Sequence, residues 1–283
     1  MKTVLVTGGN GQLASCIKDI ESNYLDLKFI YKNASELDIT NQEQIRILFE
    51  SNNFDWCINC AAYTAVDKAE TETELAFKIN AEGAKFLAEA SRKHKVKLIH
   101  ISTDFVFDGN KTSPYTEQDT PNPINVYGAS KLEGEKHIES ILKAHYIIRT
   151  SWLYSKHSNN FVKTMLKLSQ DRDEISVVND QIGSPTHALD LAHTILKIIN
   201  KDNNAFGLYH FNNQGDISWH QFATAIFNVF NRKINVHSIP SSQFKTLAKR
   251  PRYSVLDTSK ITAKFQIDIK SWKTALIEFA QLQ

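Results

Sequence analysis

A glycine-rich turn between the first apolar run and the first helical pattern constrains the fold more than any other feature. The β-branched run Thr3–Thr7 predicts a short strand, and it leads directly into Gly8-Gly9-Asn10-Gly11. A helical pattern follows from residue 12, with Ala14 as the small residue that close helix–strand packing requires. Glycines let the backbone approach a pyrophosphate, and a helix N-terminus presents free N–H groups to it. The pattern predicts a dinucleotide-binding turn; the alternative is a tight strand–helix turn without a ligand.

Strand-like runs and helical patterns alternate through the first half of the chain. The strand-like runs span residues 3–7, 27–31, 56–60, 97–102 and 146–149. Such alternation predicts the α/β class, with a Rossmann-type doubly wound parallel sheet. After about residue 200 the elements shorten and aromatic residues become frequent. We therefore expect a dinucleotide-binding domain over 1–150, joined by part of 160–200, and a smaller α/β substrate-binding domain over about 200–283.

Composition narrows the classes of function. Of the 283 residues 42% are hydrophobic and 23% charged, and the net charge of +2 gives no electrostatic basis for a nucleic-acid partner. The first apolar run ends at Gly8, too early for a signal peptide or a membrane span, so we expect a cytoplasmic protein without membrane association. Cys57 and Cys60 lie in a strand-like run, where residues three apart point to opposite faces. We interpret them as core residues and predict no metal site.

A tyrosine, a lysine and a hydroxyl at a strand end form a second constellation. Tyr127 and Lys131 are four residues apart and would share one face of a helix. A neighbouring ammonium should lower the pKa of the phenol, which could then give a proton to a carbonyl oxygen while hydride reaches the carbon. Ser102-Thr103 would bring a hydroxyl to the carboxyl edge of the sheet, where ligands bind. With the glycine turn, this order predicts a nicotinamide-dependent ketone reductase; the Tyr–Lys pair by itself would equally suit a helix surface.

The end of the second strand-like run bears on the choice of cofactor. The stretch 29–33 contains no acid that could accept a hydrogen bond from a ribose 2′-hydroxyl, and Lys32 could face a 2′-phosphate. This favours NADPH, with NADH as the alternative cofactor. Asp38, followed by Ile39, could lie near the adenine, or it could simply precede the next helix.

Beyond these motifs the chain resembles the extended short-chain dehydrogenase/reductases, and within them the dTDP-4-dehydrorhamnose reductase family. The resemblance covers nearly the whole chain, and the segments after residue 126 make it more specific than the superfamily motif does. Cys60 stands where alanine is frequent and Phe105 where tyrosine is frequent, which are mild departures. The matching segments are 4–8, 11–13, 59–70, 102–109, 126–128 with Lys131, 149–154, 180–186 and 250–257.

The resemblance implies a reaction and a set of roles. The reaction is reduction of the 4-keto group of dTDP-4-dehydro-6-deoxy-L-mannose by NADPH to dTDP-L-rhamnose, for polysaccharide biosynthesis. Thr103, Tyr127 and Lys131 would form the catalytic triad, and Lys131 would also hold the nicotinamide ribose. The implied cofactor contacts are Gly8, Gly11, Gln12, Leu13, Lys32, Asp38, Ile39, Ala61, Ala62, Tyr63, Tyr127 and Lys131. The implied substrate contacts are Thr103, Asp104, Phe105, Tyr127, Trp152, Arg250 and Arg252.

Several alternatives stay open from the sequence. Trp152 could be a core residue, and Arg250 and Arg252 could lie in a solvated basic turn rather than on a pyrophosphate. Some members of the family bind a metal at a dimer interface through acidic residues, but such residues cannot be identified in this sequence. A homodimer is an open alternative. The same chemistry could act on another nucleotide-linked 4-keto sugar. A non-catalytic, cofactor-binding regulatory subunit is the other alternative, although it would not need the full triad.

Overall fold

The computed structural model describes residues 1–282. Its strands are β1 (Lys2–Thr7), β2 (Leu27–Lys32), β3 (Trp56–Asn59), β4 (Lys97–Thr103), β5 (His145–Thr150), β6 (Leu153–Tyr154), β7 (Glu174–Val178), β8 (Ile182–Gly183), β9 (Thr186–His187), β10 (Gly207–His210), β11 (Ile217–Ser218) and β12 (Asn235–Ile239). Its helices are α1 (Gln12–Ile20), α2 (Gln42–Glu50), α3 (Val66–Ala69), α4 (Thr73–Phe77), α5 (Gly83–His94), α6 (Val126–Ile141), α7 (Phe161–Asp171), α8 (Ala188–Lys201), α9 (Trp219–Val229), α10 (Ser259–Phe265) and α11 (Trp272–Gln281).

The central sheet has six parallel strands in the order β10-β5-β4-β3-β1-β2. The chain moves outward from β1 to β2 on one side and then returns to β3 on the other. The strand order therefore reverses between β1 and β3, and a crevice opens beyond their carboxyl ends at such a point. This confirms the predicted doubly wound parallel sheet and locates its ligand-binding edge.

Both faces of this sheet are covered by helices. One apolar core joins the sheet to α1, α8 and α10, and a second joins it to α2, α5 and α6. The buried Cys57 belongs to the second core, whereas Cys60 packs against the first. The two cysteines thus face opposite sides of the sheet, as the strand pattern predicted, and both are free thiols. Cys57 is a core residue as expected, whereas Cys60 is only partly buried, because it follows the end of β3 at the carboxyl edge of the sheet.

A third apolar core lies outside the central sheet. It is built from α7, α9 and α11 with the parallel pair β7–β12. Strand β10, although it follows residue 200, pairs with β5 in the central sheet, and α10 packs on the same core. The central unit therefore takes segments from well beyond residue 200, because the edge of β5 is completed by a strand that is distant in sequence.

Helix starts depend on local polar side chains. Asn41 caps α2, because its side-chain oxygen accepts from the backbone N–H of Gln44. The helix that carries Tyr127 begins after Asn125, whose side chain accepts from the N–H of Gly128 at 2.7 Å. Among residues 1–282, no helix has the length and apolar character needed to cross a membrane.

Candidate active site

A cavity of about 1030 Å³ lies at the carboxyl edge of the central sheet, where the strand order reverses. Residues that follow β1, β3, β4 and β5 line it, together with the start of α6. Its wall includes most of the residues that the sequence singled out: Gly8, Gly11, Gln12, Leu13, Asp38, Ile39, Ala61, Ala62, Thr103, Asp104, Phe105, Tyr127, Lys131 and Trp152. Lys32, Tyr63, Arg250 and Arg252 do not line it.

The glycine turn forms one wall of the cavity. Gly8 has a φ of +64°, and a Cβ there would lie 2.7 Å from the backbone nitrogen of Ala61, so the position requires glycine. Helix α1 starts at Gln12 without a side-chain cap, and its first N–H groups face this edge of the sheet. A close backbone approach and an uncapped helix N-terminus suit a pyrophosphate. The residues present therefore fit a nicotinamide dinucleotide.

Gln12 links the glycine turn to β6 and to the segment that follows it. Its Nε2 donates to the carbonyl of Leu153 at 3.1 Å, and its Oε1 accepts from Ser155 Oγ at 3.1 Å and Asn160 Nδ2 at 3.0 Å. Asn160 and the exposed Ser158 and Asn159 also line the cavity. No local sequence pattern marks this segment as part of the site, because its contacts with Gln12 join residues that lie about half the chain apart.

The start of α6 lies unusually close to the turn that follows β4. A Cβ on Gly128 would stand 2.0 Å from the carbonyl oxygen of Phe105, so only glycine allows this approach. The ring of Tyr127 packs edge-on against Phe105, with centroids 5.9 Å apart. Thr103 and Asp104 are buried beside it. The helix start and the strand end are thereby held together at the cavity wall.

Lys131 lies one turn further along α6 and is 2% exposed. Its Nζ donates to the carbonyl of Ile101 at 2.6 Å. One turn beyond, Glu135 forms a buried ion pair with Arg149 on β5, with 2.6 Å between Glu135 Oε2 and Arg149 NH2. Ser102 also donates to Glu135. This buried network fixes α6 on the sheet and so fixes where Lys131 lies.

The expected lowering of the Tyr127 pKa by Lys131 is not what the structure gives. The pKa of the Tyr127 phenol is raised to about 12, mainly by burial; the hydroxyl of Thr103 acts against this rise and the carboxyl of Asp104 adds to it. Burial lowers the pKa of Lys131 to about 8, against the opposing effects of Glu135 and Cys60. Desolvation outweighs the helix spacing, because it penalises the charged forms of both side chains. Tyr127 therefore carries its proton at neutral pH, as a proton donor must.

Asp104 is a buried carboxyl beside Thr103. The Thr103 hydroxyl donates to Asp104 Oδ1 at 3.1 Å, whereas Oδ2 is buried without a hydrogen-bond partner among residues 1–282. Burial raises the pKa of Asp104 to about 7, while the hydroxyls of Ser254 and Thr103 lower it. A carboxyl of this kind can exchange a proton near neutral pH.

Asp104→Asn should flatten the pH dependence of stability. Between about pH 4 and pH 7 the native protein keeps a proton on Asp104 that the unfolded chain has lost, so the contribution of Asp104 to the unfolding free energy falls as the pH rises. The difference between wild type and Asp104→Asn should change by about 3 kcal/mol across this window. Urea unfolding at pH 4.5 and 8 measures it, with the exposed Asp26→Asn as control. Parallel pH dependence of wild type and Asp104→Asn would contradict the prediction.

The remaining predicted cofactor residues occupy different positions. Asp38 is exposed at the rim and accepts from Thr40 N and Oγ1, so it also shapes the turn before α2, whereas Ile39 is buried. The backbone carbonyl of Lys32 accepts from Gly9 N–H at 2.9 Å, and the neighbouring wall is formed by residues 33–35. The phenol of Tyr63 donates to Glu72 at 2.6 Å.

Trp152 lines the cavity and stacks on a second tryptophan, Trp219. Its ring lies parallel to that of Trp219, with centroids 3.4 Å apart and planes 8° apart, and both residues line the cavity. Its φ is +45°, and a Cβ on Gly183 would lie 2.5 Å from the indole ring. Trp219 was not predicted as a site residue, because nothing near it in sequence connects it to residue 152.

The two arginines near the C-terminal motif differ in environment. Arg250 forms a two-pronged ion pair with Asp67 of α3, with NH2–Oδ2 and NH1–Oδ1 distances of 2.6 Å and 3.2 Å. Arg250 therefore links the C-terminal motif to α3. Arg252 is exposed and its backbone carbonyl accepts from the N–H of Ile182 at 2.7 Å.

Within the described part of the chain, one group of potential metal ligands lies outside the cavity. Cys16, Asp19 and His157 place ligand atoms within 4.8 Å of one another. Asp19 is already bound by His157 Nε2 at 2.7 Å and by Lys156 Nζ at 3.2 Å. These contacts hold α1 against the segment after β6, and the absence of a metal stays a prediction.

Comparison with known proteins places this geometry in a family. The model of the RmlD substrate binding domain matches residues 1–283. A dTDP-4-dehydrorhamnose reductase of Aggregatibacter actinomycetemcomitans is 40% identical over 286 residues, covering 98% of this chain and 97% of that protein. The crystal structure of a Bacillus anthracis dTDP-4-dehydrorhamnose reductase in complex with NADP has 42% identity and a TM-score of 0.96, and each chain is covered to 100%.

A further relative has a different name. The dTDP-4-keto-6-deoxy-D-glucose reductase of Streptomyces niveus is 33% identical over 276 residues, covering 97% of this chain and 95% of that protein. The family model and the close relatives agree over the length of the chain, and their names fit a cavity in which the glycine turn meets Thr103, Tyr127 and Lys131. The chain belongs to the RmlD substrate binding domain family, that of the dTDP-4-dehydrorhamnose reductases.

Proposed function

We propose that the protein reduces the 4-keto group of dTDP-4-dehydro-6-deoxy-L-mannose with NADPH and forms dTDP-L-rhamnose. One observation carries the proposal: Thr103, Tyr127 and Lys131 line the same cavity as the Gly8 turn and the uncapped start of α1. The names of the close relatives supply the substrate, and the Bacillus anthracis structure supplies NADP as the cofactor. NADH is the alternative cofactor.

The proposed roles follow from the positions of the side chains. The nicotinamide, when bound, supplies hydride to the carbonyl carbon. Tyr127 is protonated at neutral pH, and its hydroxyl gives a proton to the carbonyl oxygen, so that the ketone becomes an alcohol. The Thr103 hydroxyl holds the same oxygen in place. Lys131, fixed by Ile101, holds the nicotinamide ribose and stabilises the phenolate that Tyr127 leaves behind.

The sugar nucleotide would occupy the other half of the cavity. Trp152 and Trp219 offer a stacked apolar wall for a sugar ring, and Asp104 and Phe105 border the reacting oxygen. Of the two arginines proposed for the pyrophosphate, Arg252 is exposed, whereas Arg250 is engaged by Asp67. Arg250 would reach a phosphate only by exchanging that carboxylate for it.

The cofactor would lie along the glycine turn. Gly8, Gly11, Gln12 and Leu13 suit its pyrophosphate, and Asp38, Ile39, Ala61 and Ala62 border the path to its adenosine end. For Lys32 the proposed contact is with the 2′-phosphate at the rim. Tyr63 would contribute through its backbone, because Glu72 engages its phenol.

The enzyme would consist of two units and act on a small molecule. One unit is the dinucleotide-binding core, whose central sheet includes β10. The other is a smaller substrate-binding unit built around the third apolar core. A near-neutral net charge supports a small-molecule substrate rather than a nucleic acid. We place the reaction in the cytoplasm, where NADPH and nucleotide sugars are made, and propose a homodimer, which sedimentation of the purified protein would test.

The proposed reaction should be visible as loss of reduced-nicotinamide absorbance. The protein would be mixed with NADPH and a 4-keto-L-sugar made in situ from dTDP-glucose by a dehydratase and an epimerase. We expect NADPH to be consumed only when the epimerase is present, with dTDP-rhamnose as the product. If no NADPH is consumed although titration shows that it binds, the proposed substrate is wrong.

A second candidate substrate is the sugar that precedes epimerisation. The Streptomyces niveus relative is named for the D-glucose-configured 4-keto sugar, and this chain matches nearly all of it. Consumption of NADPH in the absence of the epimerase would favour this candidate. Binding of NADPH without turnover of either sugar would favour the non-catalytic subunit, although such a subunit would have no need for Thr103, Tyr127 and Lys131 together.

A further inference from the structure

A buried chain of hydrogen bonds leads from the first strand to Lys131. The Thr7 hydroxyl donates to Asn59 Oδ1 at 2.7 Å, and Asn59 Nδ2 lies 3.0 Å from His100 Nδ1. The other ring nitrogen of His100, Nε2, lies 3.2 Å from Lys131 Nζ. Thr7, Asn59 and His100 are each at most 1% exposed, so no water competes for these contacts. The chain crosses three adjacent strands and ends on a side chain of the cavity.

The direction of this chain is set at Asn59. Its Oδ1 accepts from the Thr7 hydroxyl and from the backbone N–H of Ala61 at 3.2 Å. A reversed amide could still donate to the Thr7 hydroxyl, but its NH2 group would then oppose the Ala61 N–H, which can only donate. Asn59 Nδ2 therefore donates, and His100 Nδ1 must accept. A neutral imidazole carries one N–H, so the proton lies on Nε2.

The ring of His100 is neutral. Burial lowers its pKa well below the usual value for histidine, and the positive charges that Lys131 and His145 can carry lower it further. Its Nε2–H points at Lys131 Nζ. An ammonium offers only donors, so two N–H groups would oppose each other, whereas a neutral amine accepts this bond with its lone pair. The amine can still donate to Ile101, as its 2.6 Å contact requires.

We propose that Asn59 fixes His100 as the tautomer protonated on Nε2, and that this N–H makes His100 a positioning residue that favours the neutral amine of Lys131. The bond also aims the remaining N–H of Lys131 into the cavity. Its effect on turnover rests on the proposed function, whereas the tautomer and the titration of Lys131 do not.

Other groups around Lys131 also affect its charge, and some of them favour the ammonium form. Glu135 and the thiol of Cys60 favour the ammonium, but Glu135 is bound by Arg149 and Ser102, which weakens its effect. Tyr127 lies on the same helix with its proton in place, and Asp104 acts on Tyr127. The combined result is that Lys131 changes charge near pH 8, close enough to neutrality for both forms to be populated.

The tautomer can be measured without cofactor or substrate. Nitrogen-15 NMR of the full-length protein labelled at histidine reports which ring nitrogen carries the proton, and the signal missing from His100→Gln assigns the residue among ten histidines. We expect His100 to be protonated on Nε2 alone from pH 6 to pH 8. A proton on Nδ1, or on both nitrogens, would overturn the proposal.

Asn59→Asp should reverse the donor and acceptor roles in the hydrogen bonds that His100 makes with residue 59 and with Lys131. A carboxylate can still accept from Thr7 and Ala61, but it also accepts from His100 Nδ1, which moves the ring proton there and leaves Nε2 to accept from Lys131. The midpoint of the Lys131 titration, followed by NMR of protein labelled at lysine Cε, should rise by about one pH unit. The alkaline limb of kcat should move upward with it. Thr7→Val is the control. It keeps the hydrogen bond from the Ala61 N–H to Asn59 Oδ1, so the His100 tautomer and the midpoint of the Lys131 titration should stay as in the wild type.

Two results of this second experiment would overturn the proposal. One is a raised Lys131 midpoint with the His100 proton still on Nε2, since the added negative charge alone would then be the cause. The other is a moved proton with an unchanged midpoint. A protein that shows the expected tautomer and titration but reduces no sugar would count against the proposed function only. If Asn59→Asp does not fold, the wild-type tautomer still decides the proposal.

Discussion

Tyr127→Phe should abolish reduction while NADPH binds as tightly as it does to the wild type. The phenol hydroxyl is the only group that this substitution removes, and the ring keeps its edge-on packing against Phe105. A positioned proton donor contributes about 100- to 10,000-fold to the rate, and turnover should fall by that factor. The measurement pairs steady-state kcat with a titration of cofactor binding by fluorescence.

Tyr24→Phe is the matched control for this prediction. Tyr24 lies before β2, at the opposite edge of the sheet, and does not line the cavity. Its loss of one hydroxyl should leave kcat and the cofactor Kd as in the wild type. If Tyr127→Phe turned over within threefold of the wild type, another group would have to supply the proton, and the buried carboxyl of Asp104 would be the next candidate.

Lys131→Met should weaken both cofactor binding and turnover. Methionine fills a similar volume in this buried position but cannot hold the nicotinamide ribose or stabilise a phenolate. Loss of a charge-assisted hydrogen bond costs about 1.5–3 kcal/mol, so the Kd for NADPH should rise by about tenfold or more. The rate should fall as well, because the proton donor loses its positive neighbour. Binding titration and single-turnover rates measure the two effects separately.

Lys136→Met is the matched control on the same helix. Lys136 is exposed and forms a surface pair with Glu133 at 3.3 Å, an interaction that contributes little to stability. Its removal should change neither the Kd nor the rate. An unchanged NADPH affinity in Lys131→Met would exclude the proposed ribose contact, and the effect on turnover would then have to act through Tyr127 alone.

Much of the candidate site could be predicted because its signals are local in sequence. Each of these signals depends on residues that are close together in sequence. They are the turn at Gly8, the helix that follows it, and the spacing of Tyr127 and Lys131. The order of strands and helices then placed these motifs at one edge of a parallel sheet. The structure brings the Gly8 turn, Thr103, Tyr127 and Lys131 into one cavity, as that reasoning expected.

Only the tertiary structure decided which side chains are buried and which residues distant in sequence contact each other. Trp219 stacks on Trp152, Asp67 engages Arg250, and Asn160 meets Gln12, although each pair is separated by more than sixty residues. Helix spacing predicted a lowered pKa for Tyr127, but desolvation raises it, because a phenolate loses its water when the surrounding segments close around it. The sequence by itself determined which groups meet at the sheet edge; their charge and hydrogen-bond partners depend on the packing of segments that are far apart along the chain.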